Sequence, residues 1–198
     1  MTQPDEIIKF WFGPGDDPYH VDGQVSSRWF AGGKEFDEEI RQRFGADLHR
    51  AICGEYDGWA EDPRGRLALV LLLDQFSRNL FRGSPRSWSQ DLVAQHLVLE
   101  AMDDGVDEEL RPIERTFFYL PLEHAEDLQL QQMSVRAFSQ LADEVPDSAG
   151  NFQVALDYAQ RHLEIIERFG RFPHRNDVIG RPTTDEEAEF LKQPNSSF

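Results

Sequence analysis

Residues 67 to 76 read LALVLLLDQF, and this stretch decides the fold. Asp62 and Pro63 precede it as a capping residue and a first-turn proline, so the sequence predicts a helix from about 63 to 81. The middle of this helix is apolar on every face, which is typical of a helix surrounded by other elements. The apolar run Leu67 to Leu73 has seven residues, whereas a membrane span needs about 20. We therefore expect a central core helix and no membrane association.

The rest of the chain also shows helical patterns. Apolar residues at every fourth position predict an amphipathic helix over about 34–52, namely Phe36, Ile40, Phe44, Leu48 and Ile52. Prolines, glycines and capping residues predict further helices over about 4–12, 84–105, 112 to the interruption at Pro121, 127–144, 150–169 and 184–192. Residues 14–25 are expected to form a loop, and residues 193–198 a disordered tail.

No stretch alternates polar and apolar residues between hairpin turns, which argues against a sheet. We predict an all-α fold of about eight helices, stacked as antiparallel pairs in a single domain over residues 1–198. A regular 34-residue repeat is not visible, so any superhelix would be irregular. A chain of 198 residues with 39% apolar content can bury one substantial core.

Composition excludes several classes of function. The formal net charge of -17 argues against nucleic-acid binding, because attraction to phosphates supplies most of that affinity. Cys53 is the single cysteine, so no internal disulfide and no cysteine-based zinc site can form. The amino terminus carries acid where a secretory signal carries base, and we expect a cytoplasmic protein. Phosphate-binding glycine loops, dinucleotide fingerprints and paired-histidine zinc motifs do not occur, so we predict no cofactor and no metal.

The first polar stretch that needs an explanation is DQFSRNLFRGSPR, residues 74–86, which continues directly from the apolar run. On a helix Asp74, Arg78 and Arg82 lie four residues apart and share one face. They could form a structural ladder of ion pairs. They could equally form the polar floor of a pocket, because a charge so close to the core requires a partner.

The second polar stretch is ERTFFYLPLEHAED, residues 114–127. Pro121 is expected to end a helix, which would place Glu123, His124 and Glu126 in an irregular turn. Carboxylates beside an imidazole can hold its pKa near neutrality, as a general base or a proton switch requires. The same acids could instead cap the following helix.

The third stretch is RFGRFPHRN, residues 168–176. Arg168 and Gly170 are explained as the cationic last turn and the stop of a long helix. Arg171, His174 and Arg175 have no such explanation. Residues 168–181 hold four arginines and one aspartate, whereas residues 100–127 hold ten acids and two bases. We expect these opposite charges to meet across a cleft that also includes Arg78 or Arg82.

These three stretches also carry a family resemblance. The strings LALVLLLDQFSRNLFRG, ERTFFYLPLEHAED and RFGRFPHRN, with WFG before them and GRPTTDEEAEFL after them, resemble the bacterial domain of unknown function 924 from about Ile7 to Leu191. The resemblance implies a tetratricopeptide-like, all-helical fold. It implies no activity and transfers no catalytic role. Ser77 stands where the family pattern has a proline, which affects only the expected local bend of the helix.

Three hypotheses of function follow from the residues. The first is a binding module whose cleft holds a small anionic metabolite or the carboxylate of an acidic peptide, through Asp74, Arg78, Arg82, Arg171, His174 and Arg175. The second is a hydrolase-like enzyme in which His124 and Glu123 or Glu126 form an acid-base pair. The third is a buried network of ion pairs that only ties helices together.

Overall fold

All regular elements are helical in the computed structural model, which describes residues 2–31, 33–146, 151–194 and 196–197, with the backbone alone for residues 30 and 31. This confirms the all-α prediction. The α-helices are α1 (Pro4–Phe12), α2 (Gly23–Ala31), α3 (Lys34–Ile52), α4 (Pro63–Val70), α5 (Ser77–Leu80), α6 (Asp91–Asp104), α7 (Pro112–Phe118), α8 (Leu120–Glu123), α9 (Leu128–Glu144), α10 (Asn151–Phe169), α11 (Asn176–Ile179) and α12 (Asp185–Phe190). The estimate of about eight helices did not include α2 and α11, and it counted α4 with α5, and α7 with α8, as single helices.

The apolar stretch forms the centre of the fold. α4 runs without interruption into a π-helical turn, Leu71–Phe76, and then into α5, so the helix predicted over 63–81 is present with different hydrogen bonding in its middle. Every side chain from Leu67 to Leu73 is buried. α4 packs against α1, α6 and α7, which accounts for the lack of an exposed face over Leu67–Leu73.

Aromatic side chains fill the space between α1 and its neighbours. The Trp11 ring packs against Phe76 at a centroid distance of 5.5 Å and against Phe117 at 5.5 Å. Phe44 of α3 reaches Phe76 at 5.4 Å. α9 and α10 pack against each other. Their short connection requires an antiparallel pair, because a parallel return would have to span the length of a helix.

Two predicted helices differ from the observed ones. The segment 84–105 divides into a 3₁₀ turn, Pro85–Trp88, and α6. Hydroxyls of Ser87 and Ser89 donate to the carbonyls of Phe81 and Arg86, and this competition with the backbone interrupts the helix.

The break near Pro121 lies at Tyr119. Pro121 occupies the first turn of α8, where no backbone donor is needed. Glu123 therefore ends a short helix, and His124 follows it as the C-cap residue.

The loop predicted over 14–25 ends earlier, because α2 begins at Gly23. Asp22 accepts a hydrogen bond from the amide of Gln24 and caps this helix, a signal that the prediction overlooked. In the segment 193–198, residues 195 and 198 lie outside the described residues, and the hydroxyl of Ser196 donates to the carbonyl of Leu191. Within the described ranges no helix is long and apolar enough to cross a membrane.

Gly65 marks the closest backbone approach in the fold. Asp62 caps α4 by accepting the amide of Gly65, and the 3₁₀ turn Asp57–Glu61 passes directly over this glycine. A Cβ atom at residue 65 would lie 3.0 Å from the carbonyl carbon of Trp59 and closer still to its oxygen. Only glycine permits this packing.

We therefore expect Gly65→Ala to lower the free energy of unfolding by about 2 kcal/mol or more, although alanine is the better helix former. Gly45→Ala in α3 is the matched control, because its Cβ would meet only the Leu80 side chain at 3.8 Å. That variant should gain about 0.5 to 1 kcal/mol. Urea unfolding measures both, and a stable Gly65→Ala would show that the turn can move away.

Candidate functional site

A cleft of about 450 Å³ lies where parts of the three polar stretches converge. The start of α6, the turn that follows α8 and the segment from Arg175 to α11 form its walls. Its lining includes Trp88, Asp91, His124, Glu126, Arg175 and Ile179. The sequence predicted a meeting of the stretches around 114–127 and 168–176, and both of them contribute to this cleft.

Asp74 is the fully buried anion behind the cleft. Its Oδ1 accepts from Arg78 Nη1 at 2.9 Å and lies 2.8 Å from His124 Nδ1, while its Oδ2 accepts from Gln75 Nε2 at 2.6 Å. Burial opposes ionisation, but Arg78 and His124 outweigh it and lower the pKa of Asp74 to about 2. Asp74 is therefore a carboxylate at neutral pH.

Arg78 joins Asp74 to Asp91. Its two terminal nitrogens donate to the two oxygens of Asp91 at 3.0 and 3.1 Å, and Nη1 also donates to the Asp74 carbonyl at 3.1 Å. A fork of this kind fixes the orientation of both groups. Arg78 is thus occupied by two protein carboxylates and lies beneath the cleft.

His124 presents one ring edge to Asp74. Burial and the charge of Arg78 lower the pKa of His124, so the ring is neutral at pH 7. A carboxylate can only accept, and the proton must therefore lie on Nδ1. No hydrogen bond joins Nε2 to any described residue, and the side chain is 17% exposed where it lines the cleft. Nε2 consequently carries the lone pair of the ring, and no described residue donates to it.

Arg175 is the cation of the cleft wall. Its Nη2 donates to the His124 carbonyl at 2.9 Å, and its guanidinium lies 5.3 Å from the Trp88 ring and 4.6 Å from the Phe172 ring. The distance from Nη1 to Asp91 Oδ2 is 3.7 Å, which is long for an ion pair, and Nε has no partner among the described residues. Burial and the charge of Arg78 lower the pKa of Arg175 to about 10, so it stays charged at neutral pH.

Glu126 ties the carboxyl-terminal segment to the cleft. Arg181 donates to its two oxygens at 2.5 and 2.8 Å, and the amide of Phe172 donates to Oε1 at 2.8 Å. Although burial acts in the opposite direction, these hydrogen bonds lower the pKa of Glu126. Glu126 is ionised and engaged, and it does not contact His124 through its side chain in any described hydrogen bond.

Glu123 points away from the cleft lining and into the protein. It is buried, and its Oε1 lies 3.2 Å from Nδ1 of His162, which is 2.9 Å from the Tyr158 carbonyl. Burial and the charge of Asp74 raise the pKa of Glu123 to about 8, and burial lowers the pKa of His162 to about 3. Both groups are therefore mostly neutral at pH 7. The predicted pairing of His124 with Glu123 or Glu126 does not form, because His124 is hydrogen-bonded to Asp74 instead.

Three residues predicted for the site lie elsewhere. Arg82 forks Asp37 of α3 at 3.0 and 3.1 Å, and Arg171 forks Glu187 of α12 at 2.6 and 2.9 Å. His174 does not line the cleft, and burial together with the charge of Arg175 lowers its pKa to about 4. The structure places only Arg175 of the six predicted ligand residues in the cleft wall; Asp74 is buried behind it, and Arg78 is half-buried.

Trp88 and Asp91 are among the lining residues that the sequence reasoning missed. Trp88 was interpreted as a core anchor, because an isolated tryptophan gives no signal that separates a packed ring from a cleft wall. Asp91 opens α6, where an acid is expected for the helix dipole alone. Across the described ranges, no group of three or more His, Cys, Asp or Glu side chains is arranged to hold a metal ion.

Comparison with known proteins agrees with this architecture. Residues 7–195 match the model of a family described as "Bacterial protein of unknown function (DUF924)". The chain belongs to this family. It is also similar to the solved structure of a protein of unknown function from Agrobacterium tumefaciens, with 38% sequence identity, a TM-score of 0.79 and coverage of 96% of each chain. A search of curated proteins gave no match.

The Asp74–Arg78–Asp91 arrangement predicts an unequal cost for two arginines of the same helical run. Arg78→Met leaves two buried carboxylates without their shared cation, and we expect a loss of about 3 to 5 kcal/mol in unfolding free energy. Arg82→Gln breaks a pair whose arginine side chain is 62% exposed, and we expect a loss within about 1 kcal/mol. Equal urea midpoints for the two variants would contradict this assignment.

The Glu123 environment predicts a pH dependence. The pKa of Glu123 is about 8 in the folded state, above the ordinary 4.5. Between these two pH values the folded protein therefore holds one proton more than the unfolded chain. Stability from this group is present at low pH and is lost as pH rises through 8. Between pH 7 and 8 the wild type should lose about 1 kcal/mol relative to Glu123→Gln, which has no such proton. Parallel urea-derived stability profiles for the two proteins would refute the assignment.

Proposed function

We propose that the chain binds a small organic monocarboxylate in the cleft, with its carboxylate at Arg175 and its apolar body against Trp88. The observation that carries the proposal is the state of Arg175. This guanidinium is held in place by the His124 carbonyl and by two aromatic rings, yet its nearest carboxylate oxygen is 3.7 Å away. Its Nη1 makes no hydrogen bond to any described residue and can therefore donate to a guest, whereas Nε is buried and Nη2 is used by the His124 carbonyl.

The other arginines of the region contrast with Arg175. Arg78, Arg171 and Arg181 each donate two hydrogen bonds to protein carboxylates. A network that served only to tie helices together would be expected to treat Arg175 in the same way. The structural hypothesis thus explains Arg78, Arg82 and Arg171, and it does not explain an open cleft with Arg175 in its wall.

The charge of the cleft limits the kind of anion. Asp91, Glu126 and Asp127 also belong to the lining, and they would repel a phosphate or a dicarboxylate more strongly than a single carboxylate. The volume of about 450 Å³ falls within the usual range for small-molecule sites, about 300 to 1,000 Å³. A monocarboxylate of modest size satisfies both conditions.

The apolar part of the lining favours a ligand with an apolar body. Trp88, Leu92 and Ile179 line the cleft, and Leu92 is 80% exposed. Leucine and isoleucine side chains left in water at the edge of a cleft gain free energy when a ligand covers them. An aryl or alkyl group attached to the carboxylate would do so.

We expect phenylacetate to bind the wild-type protein in isothermal titration calorimetry, and the neutral isostere phenylacetamide to bind at least tenfold more weakly. Arg175→Gln should weaken phenylacetate by tenfold or more, because it removes the cation. Arg82→Gln is the control and should bind like the wild type, since Arg82 binds Asp37 of α3 and does not line the cleft. Arg175→Lys keeps the charge without the fork and should bind with intermediate affinity.

Equal affinity for phenylacetate and phenylacetamide would contradict the proposal. So would an Arg175→Gln variant that is folded by circular dichroism and binds phenylacetate as the wild type does.

A further inference from the structure

We infer that the cleft hydrolyses small carboxylic esters, with His124 as the general base for a water molecule and Arg175 as the group that stabilises the developing oxyanion. This inference rests on the proposed function, because the carboxylate held by Arg175 is then the product of the reaction. The positions of His124, Asp74 and Arg175 point to this reaction.

The first observation is the pairing of His124 with Asp74. A carboxylate 2.8 Å from Nδ1 fixes the ring orientation and the tautomer, and it stabilises the imidazolium that forms when Nε2 takes a proton. Nδ1 is thereby used, and Nε2 remains without a partner among the described residues. A histidine that served only for packing would not need its lone pair in a cleft.

The second observation is where Asp74 comes from. It lies in the π-helical turn Leu71–Phe76, directly after the most apolar segment of the core, and it is fully buried. Turns of this kind are frequent at functional sites. A charge at this depth is costly unless it is paired. Arg78 alone could neutralise it, yet Asp74 also receives His124 and Gln75.

The third observation is the charge that surrounds the His124 ring on every packed element. Asp74 and Arg78 face it from the central helical run and Asp91 from α6, and the His162 ring of α10 lies at 6.3 Å. Arg175 and His174 approach from the carboxyl-terminal turn. Two carboxylates and two guanidiniums balance, and burial lowers the pKa of His124, so the ring rests neutral and can accept a proton with Asp74 behind it.

The reaction follows from these positions. His124 Nε2 takes one proton from water as the water oxygen attacks the carbonyl carbon of the ester. The carbonyl π electron pair moves onto its oxygen, where Arg175 donates hydrogen bonds to the oxyanion. The oxyanion pair then re-forms the C=O double bond as the bond between carbon and the alcohol oxygen breaks, and the leaving oxygen takes the proton from Nε2. The acid releases its own proton to solvent, so ester and water yield carboxylate, alcohol and a proton.

The test uses 4-nitrophenyl phenylacetate, which releases a coloured phenol together with the carboxylate already used as the binding probe. We expect His124→Gln to lower kcat/KM by about 100-fold or more, in the range of a lost general base. His96→Gln is the matched control: its side chain is 71% exposed on α6 and lies outside the cleft lining, so activity should stay within about twofold of wild type. This comparison separates one histidine from unspecific imidazole catalysis.

Two further readouts do not depend on the stability of a variant. The wild-type kcat/KM should not change with pH around pH 7 and should fall only below pH 6.5. The base must be neutral to accept a proton, and burial lowers the pKa of His124. Diethyl pyrocarbonate at pH 6 should inactivate the wild type in parallel with modification of His124, and phenylacetate should protect.

The outcomes distinguish the two proposals. If hydrolysis is absent, or is equal in the wild type and His124→Gln, the ester hydrolase is overturned. If phenylacetate binds in that case, the carboxylate site is retained. Failure of phenylacetate to bind the wild type overturns the carboxylate site itself. Inactivation without modification of His124 also overturns the catalytic inference.

Discussion

A carboxylate inside the apolar core is the constraint from which the rest of the site follows. Asp74 is the first charged residue after seven buried apolar ones, and it cannot be left without partners at that depth. Arg78 supplies the cation from the next turn of the same helical run, and Asp91 holds that cation from a second helix. His124 then donates to Asp74 Oδ1 from a turn 50 residues away. Three elements are thereby joined at one point.

The carboxyl-terminal segment closes this arrangement from outside. Glu126 is bound by Arg181 and by the amide of Phe172, while Arg171 binds Glu187 at the start of α12. These pairs hold the segment that carries Arg175, whose guanidinium lies beside Trp88 and has no carboxylate oxygen closer than 3.7 Å. The acidic and basic regions of the sequence do find each other, and the pairing is selective, with most cations neutralised and one held at the cleft.

The helices of this fold could be predicted well because their signals are local. The four-residue spacing of Phe36 to Ile52 reproduces α3, and the Asp62 cap with Pro63 marks the start of α4. Asp22 and Pro121 also give local signals, but the start of α2 and the position of the break were predicted wrongly. Aspartate and proline occur both in loops and in the first turns of helices, so their presence alone does not distinguish the two.

The site could be predicted only in part because partners are distant in sequence. Glu123 and Glu126 are the nearest carboxylates to His124 along the chain, yet Asp74 binds it. Arg78 and Arg82 are four residues apart on one helical run, yet they bind carboxylates on different helices, Asp91 and Asp37. A one-dimensional pattern indicates that charges need partners, whereas packing decides which partner each one obtains. The π-helical turn Leu71–Phe76 also determines which way the side chains of α5 face. Each residue of a regular helix rotates the chain by about 100°, so the wide turn offsets the faces of α5 from those of α4. If the same residues adopted regular α-helical hydrogen bonding, the chain after the turn would rotate by about 100° about the helix axis, and Arg78 would turn away from Asp91. The contact between Arg78 and Asp91 therefore depends on the π-helical bonding of this turn.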